Sequence, residues 1–198
     1  MLRYVDERLK IGGSTIWVGK DQGRPVAIQK IEVNKSFKPA GWTYNLSALS
    51  DARIEVTWPN VGRSYKSQKP LEFQLIPDAP TPLSGPRLKF QSRALSRQFS
   101  GNWGPDDNRH QMRVVPTPLL EYQSDEHGIV TGAIYSMAIG THPIVYLIIE
   151  LRETPAGTRW QYASGRAASA QIRLFHNETE VRAQGPENRP GQFPTWTY

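Results

Sequence analysis

Two glutamates in this chain are placed where a carboxyl could do acid–base chemistry. Glu32 and Glu150 each lie near the end of an apolar run, Pro25–Val33 and Pro143–Leu151. A carboxyl partly buried at the end of such a strand has its pKa raised toward the range a general acid needs. The plainer expectation weighs more: a strand-end carboxylate paired to an arginine. Both glutamates occupy the same place in a repeat, and two copies of a fold share a folding problem before they share a reaction. The four histidines, His110, His127, His142 and His176, fall in no metal-binding spacing. His127, beside Asp125 and Glu126, could act as a base oriented by a carboxylate, but its segment reads as a surface turn. The chain has no cysteine, which excludes a cysteine nucleophile and any Cys-based zinc or iron–sulfur site. Neither GxxxxGK[ST], GxGxxG nor GxSxG occurs. Gly12-Gly13-Ser14 is too short to cradle a phosphate. The residues therefore lean away from an enzyme and imply no cofactor and no metal.

Binding chemistry has more candidates. Trp42 and Tyr44 lie two apart on one strand, as do Trp160 and Tyr162, so each pair shares a face that could stack on a base, a sugar or a peptide. For large rings at strand spacing the core of each sheet is the preferred expectation. Residues 1–69 hold 12 Lys and Arg against 6 Asp and Glu, while residues 120–198 hold 6 against 8. The excess of positive charge thus belongs to the first part of the chain. There Lys20, Arg24 and Lys30 interleave with aromatics, a pattern that allows a weak nucleic-acid binder, although no RNP, KH or helix-turn-helix signature accompanies it.

The elements that hold these residues come in two copies. Ile11-Gly-Gly-Ser-Thr-Ile-Trp17 returns as Ile129-Val-Thr-Gly-Ala-Ile-Tyr135, 118 residues later, and the offset runs without a gap from Leu2 to about Ile54. Under it Tyr4 falls on Tyr122, Glu32 on Glu150, Trp42 on Trp160 and Tyr44 on Tyr162, whereas His142 falls on Arg24. Each copy reads as short strands with period-two alternation and tight turns, an antiparallel meander. The division is 1–69 first repeat, 70–119 connector, 120–183 second repeat and 184–198 tail. In the first repeat a tight turn is expected at Pro59–Gly62. The connector is Pro-rich and then amphipathic, with one helix over about 86–99 whose outer face is basic. Pro143–Leu151 is apolar on both faces, so it must be covered on both; its counterpart carries Gln29 and Lys30 and leaves a face more exposed. The tail ends Phe-Pro-Thr-Trp-Thr-Tyr, aromatic enough to dock on the body.

The predicted fold is mainly β: two antiparallel meanders related by pseudo-two-fold symmetry, packed as one sandwich or barrel-like domain, since one meander alone buries too little. Charges stand near the N-terminus where a signal peptide needs an apolar run, and the longest apolar run is too short to span a bilayer, which needs about 20 residues. A soluble cytoplasmic protein without a membrane partner follows as the expectation. Gly132-Ala133, Gly140-Thr141, Pro143, Glu150, Trp160 and Tyr162 together resemble the pattern of an uncharacterised bacterial family seen especially in planctomycetes. The resemblance implies an internally duplicated β domain and brings no activity or ligand. The function that the sequence favours is a non-enzymatic binding or protein-interaction module, taking an unidentified protein or small ligand on the less buried face of the first copy or in the groove between copies. The alternatives are an enzyme using Glu32 or Glu150 in that groove, and the nucleic-acid binder.

Overall fold

The computed structural model describes residues 2–36, 38–50, 54–58, 63–66, 71–186 and 195–197. The turn expected at Pro59–Gly62 and the tail between Pro186 and Thr195 lie outside them.

Runs rich in β-branched and aromatic residues build the first sheet from β1 (Leu2–Asp6), β2 (Ile11–Asp21), β3 (Arg24–Asn34) and β4 (Gly41–Ala48). Gln22 and Gly23 both take positive φ, the geometry that closes a two-residue hairpin without splaying its strands. A two-stranded hairpin follows, β5 (Glu55–Trp58) with β6 (Arg63–Lys66). The connector gives β7 (Gln74–Leu75), α1 (Arg87–Ser96), β8 (Phe99–Trp103) and β9 (His110–Val114). The second half is β10 (Leu120–Ser124), β11 (Ile129–Ile139), β12 (His142–Arg152) and β13 (Arg159–Arg166), then the hairpin β14 (Ile172–His176) and β15 (Thr179–Gln184). The last strand, β16 (Thr195–Thr197), docks the tail on β4.

The pairing repeats residue for residue at the 118-residue offset. Leu2 faces Ile16 and Leu120 faces Ile134; Ile31 faces Tyr44 and Ile149 faces Tyr162. Even the irregularities recur, between Ile11 and Gly13 and again between Ile129 and Thr131. Each half also gains one extra edge strand at the same place, β16 beside Tyr44 and β7 beside Tyr162.

The architecture is mainly antiparallel β in three layers. The first sheet and the β10–β13 sheet face each other across a core that includes Ile16, Ile28, Ile134, Tyr146 and Ile148. The nine-stranded sheet curls strongly, so that β8, β9 and β14 return over the far side of β11–β13 together with α1. That second core holds Leu95, Phe99, Met112, Leu147, Ile149, Trp160 and Leu174. β12 is therefore buried on both faces, as its sequence requires; burying each such side chain is favourable by about 1.5–3 kcal/mol. Ile144 joins Val145 and Leu147 in the second core rather than Tyr146 in the first, because the register shifts between Met137 and Ala138, opposite this end of the strand. The helix is shorter than its pattern suggests: it stops at Ser96, and Phe99 opens β8 instead of extending the helical stripe. Among the described residues no helix is long and apolar enough to cross a membrane.

Candidate functional site

The two glutamates sit at equivalent places in the interface between the halves, and each is met by a tyrosine of its own half. Tyr122 Oη donates to Glu150 Oε1 at 2.6 Å, and Tyr4 Oη donates to Glu32 Oε1. The remaining partners cross over. Arg24 of the first half approaches Glu150 of the second at 4.0 Å, and His142, which holds Arg24's place in the second half, brings Nδ1 within 2.9 Å of Glu32. Such mutual exchange is the signature of an isologous interface, here closed within one chain. The turns obey it too: Ser124 Oγ donates to the Gln22 carbonyl at 2.7 Å, and Thr141 Oγ1 to the Val5 carbonyl at 2.8 Å.

Glu32 has a third neighbour that Glu150 lacks. Lys30 Nζ stands 3.4 Å from Glu32 Oε1 and donates to the Pro143 carbonyl at 3.3 Å. It also faces His142 Nε2 at 3.5 Å, which places the imidazole proton on Nδ1, toward the carboxylate. Position 148, the match of Lys30, is Ile148, and Glu150 takes Arg152 at 3.7 Å as its second cation instead. Arg24 and Arg152 both lay their guanidinium groups over the Phe73 ring, at 5.5 and 5.4 Å.

Burial opposes the charge on Glu32, but His142, Lys30 and Tyr4 outweigh it and hold the carboxyl down at about 2. This corrects the expectation of a raised pKa: Glu32 is a fixed carboxylate, unable to serve as a general acid near neutrality. Burial, followed by the Lys30 charge, lowers the His142 pKa against the pull of Glu32. Burial likewise lowers that of Lys30, and burial and the adjacent carboxylates push the Tyr4 and Tyr122 phenols upward. Glycine enters at one position. Gly132 lies beneath the Tyr122 ring, where a Cβ would come within 2.5 Å of ring carbons. Its match, Ser14, instead donates Oγ to the Tyr4 carbonyl at 2.6 Å, and Tyr4 remains half-buried.

The proposed binding residues divide. Trp160 and Tyr162 are core, whereas Trp42 is exposed and Tyr44 half-buried on the outer face of the first sheet. Lys20 is exposed, but Arg24 and Lys30 are buried at 3% and 2%. Of these three cations Lys20 alone faces solvent: Arg24 meets Glu150 of the other half and Lys30 meets Glu32 of its own strand. Among the described residues no group of three His, Asp or Glu side chains is placed to hold a metal. His127 lies in the Asp125–Gly128 turn, and His176 meets Gln98 Oε1 at 3.0 Å.

The less buried face expected of the first copy lies on the outer side of its sheet. Arg3, Val5, Thr15, Ile31, Val33 and Trp42 line a groove of about 440 Å³ on the outer side of β1–β4. Trp17, beyond its end, is 52% exposed and Trp42 47%, while their matches Tyr135 and Trp160 are 1% and 2% exposed beneath the third layer. Of the two residues expected to mark that face, Gln29, the match of Leu147, is half-buried there, while Lys30 is buried on the opposite one. Fold and site together define a mainly β chain whose two halves share one strand register; among the described residues one outer face lies beneath a third layer, while the other buries Leu46 but leaves Trp17 and Trp42 exposed. No protein family, curated protein or solved structure matches the chain.

Proposed function

We propose that the protein is a non-enzymatic protein-interaction module, built by internal duplication, whose binding surface is the outer face of the first sheet. A single observation carries this reading: the same sheet face occurs twice, and among the described residues the second lies beneath α1, β8, β9 and β14 while the first leaves Trp17 and Trp42 exposed. Exposed apolar clusters of this kind mark sites where another surface belongs. Trp17 and Trp42 supply large, stiff anchors of the type that dominates binding energy. The glutamates support the same view from the other side, since they are sealed at 3% and 0% exposure among tyrosine and cationic partners. The basic residues favour nucleic acid less, with Arg24 and Lys30 engaged inside.

A peptide-display selection on the whole chain tests this. Selected segments lose affinity by at least about tenfold on a Trp17→Ser/Trp42→Ser variant, as truncated anchors do, and bind a Phe90→Ser variant normally, Phe90 being 68% exposed on α1. Failure to select any binder, or segments indifferent to the double substitution, contradicts the proposal.

A further inference from the structure

The covered half shows what fits the open one. On the second half α1 turns Leu88 and Leu95 into the core, and Ser92 Oγ meets Tyr135 Oη at 3.0 Å. At the rim Lys89 Nζ and Arg93 Nη2 reach Glu121 at 2.6 and 3.5 Å. Transferred by the 118-residue offset, Tyr135 becomes Trp17, Ala133 becomes Thr15, Ile149 remains isoleucine as Ile31, and Glu121 becomes Arg3. Trp17 and Ile31 keep the seat partly apolar, with Thr15 and Gln29 standing for Ala133 and Leu147, and the sign of the rim charge is reversed.

We infer that the occupant of the open face is an amphipathic helix of a partner protein, seated as α1 is seated, with acidic residues one turn apart where α1 carries Lys89 and Arg93. This rests on the reading of that face as the binding surface. Apolar contacts would supply affinity, as in other helix-in-groove complexes, and the Arg3 pairing would supply choice of partner. A second copy of this chain does not fit the role: its own α1 is committed to its core through Leu95, 1% exposed, and would bring Lys89 and Arg93 against Arg3.

Two stapled helical peptides of residues 86–97 decide the matter, one unaltered and one carrying Lys89→Glu and Arg93→Glu, each titrated against the whole chain by NMR at low salt. The acidic form binds at least about fivefold more tightly, a ratio within reach of two exposed ion pairs changed from repulsive to attractive. On an Arg3→Glu variant the order inverts, and on Trp17→Ser/Trp42→Ser both forms are lost. Equal binding of the two forms, or an order that Arg3→Glu does not change, overturns the charge rule. If neither form binds while display-selected segments still require Trp17 and Trp42, the helix is wrong and the face stands. If those segments also ignore both tryptophans, the two proposals fall together.

Discussion

Glu32 draws together residues from both halves, and its chemistry gives the molecule an acid-sensitive point. An unfolded glutamate titrates near 4.5, whereas Glu32 in the folded chain titrates near 2. Above 4.5 both states are ionised and the stabilisation is complete. As pH falls from about 4.5 to about 2 the unfolded chain takes up the proton first, so stability is lost across that window; the full difference is on the order of 3 kcal/mol. His142 acts in the same direction at higher pH. Its folded pKa lies below the ordinary 6.5, so the unfolded chain protonates first as pH drops through that value. Urea unfolding followed between about pH 7 and about pH 3 therefore shows a loss of stability on acidification. In Glu32→Gln the low-pH part of that loss is reduced by the share that Glu32 contributes. A wild-type chain equally stable at both ends would show that the carboxylate is not held as described.

At the scale of elements, the strand pairs β2–β3 and β11–β12 solve one problem in two ways. The second half's carboxylate has Arg24 from across the interface and Ile148 beside it on its strand, while the first half's has His142 and Lys30. Lys30→Ile alone removes one member of a buried charged group and is expected to cost about 3 kcal/mol. Adding His142→Arg transplants the Arg24 solution and recovers most of that loss in urea midpoint. If the double variant is no better than the single one, the two interfaces are not interchangeable. The sequence made these strands legible because period-two alternation is local: Pro143–Leu151 announced a strand covered on both sides. It could not announce that Lys30 and Arg24 lie inside, because their partners His142 and Glu150 lie more than a hundred residues away and appear only when the halves close. The missed connector strands have the same origin. Segments such as Phe99-Ser-Gly-Asn-Trp103 carry little propensity of their own and become strands by pairing with β14 and β9.

For the whole molecule, the repeat predicted two matching meanders, and the strand register of β2–β3 recurs in β11–β12 at the 118-residue offset. It also led to a common expectation for Trp42 and Trp160, as core in both, and there the halves part. What distinguishes them is not in either tryptophan's neighbourhood along the chain but in the third layer, which α1, β8, β9 and β14 lay over the second sheet. That asymmetry is what makes the first sheet's outer face available, and it can be read directly. In the proton NMR spectrum, indole N–H signals assigned through single Trp→Phe variants are compared before and after adding a soluble gadolinium chelate. An open first face requires strong broadening of Trp17 and Trp42 with Trp160 untouched. Equal protection of Trp42 and Trp160 would contradict it.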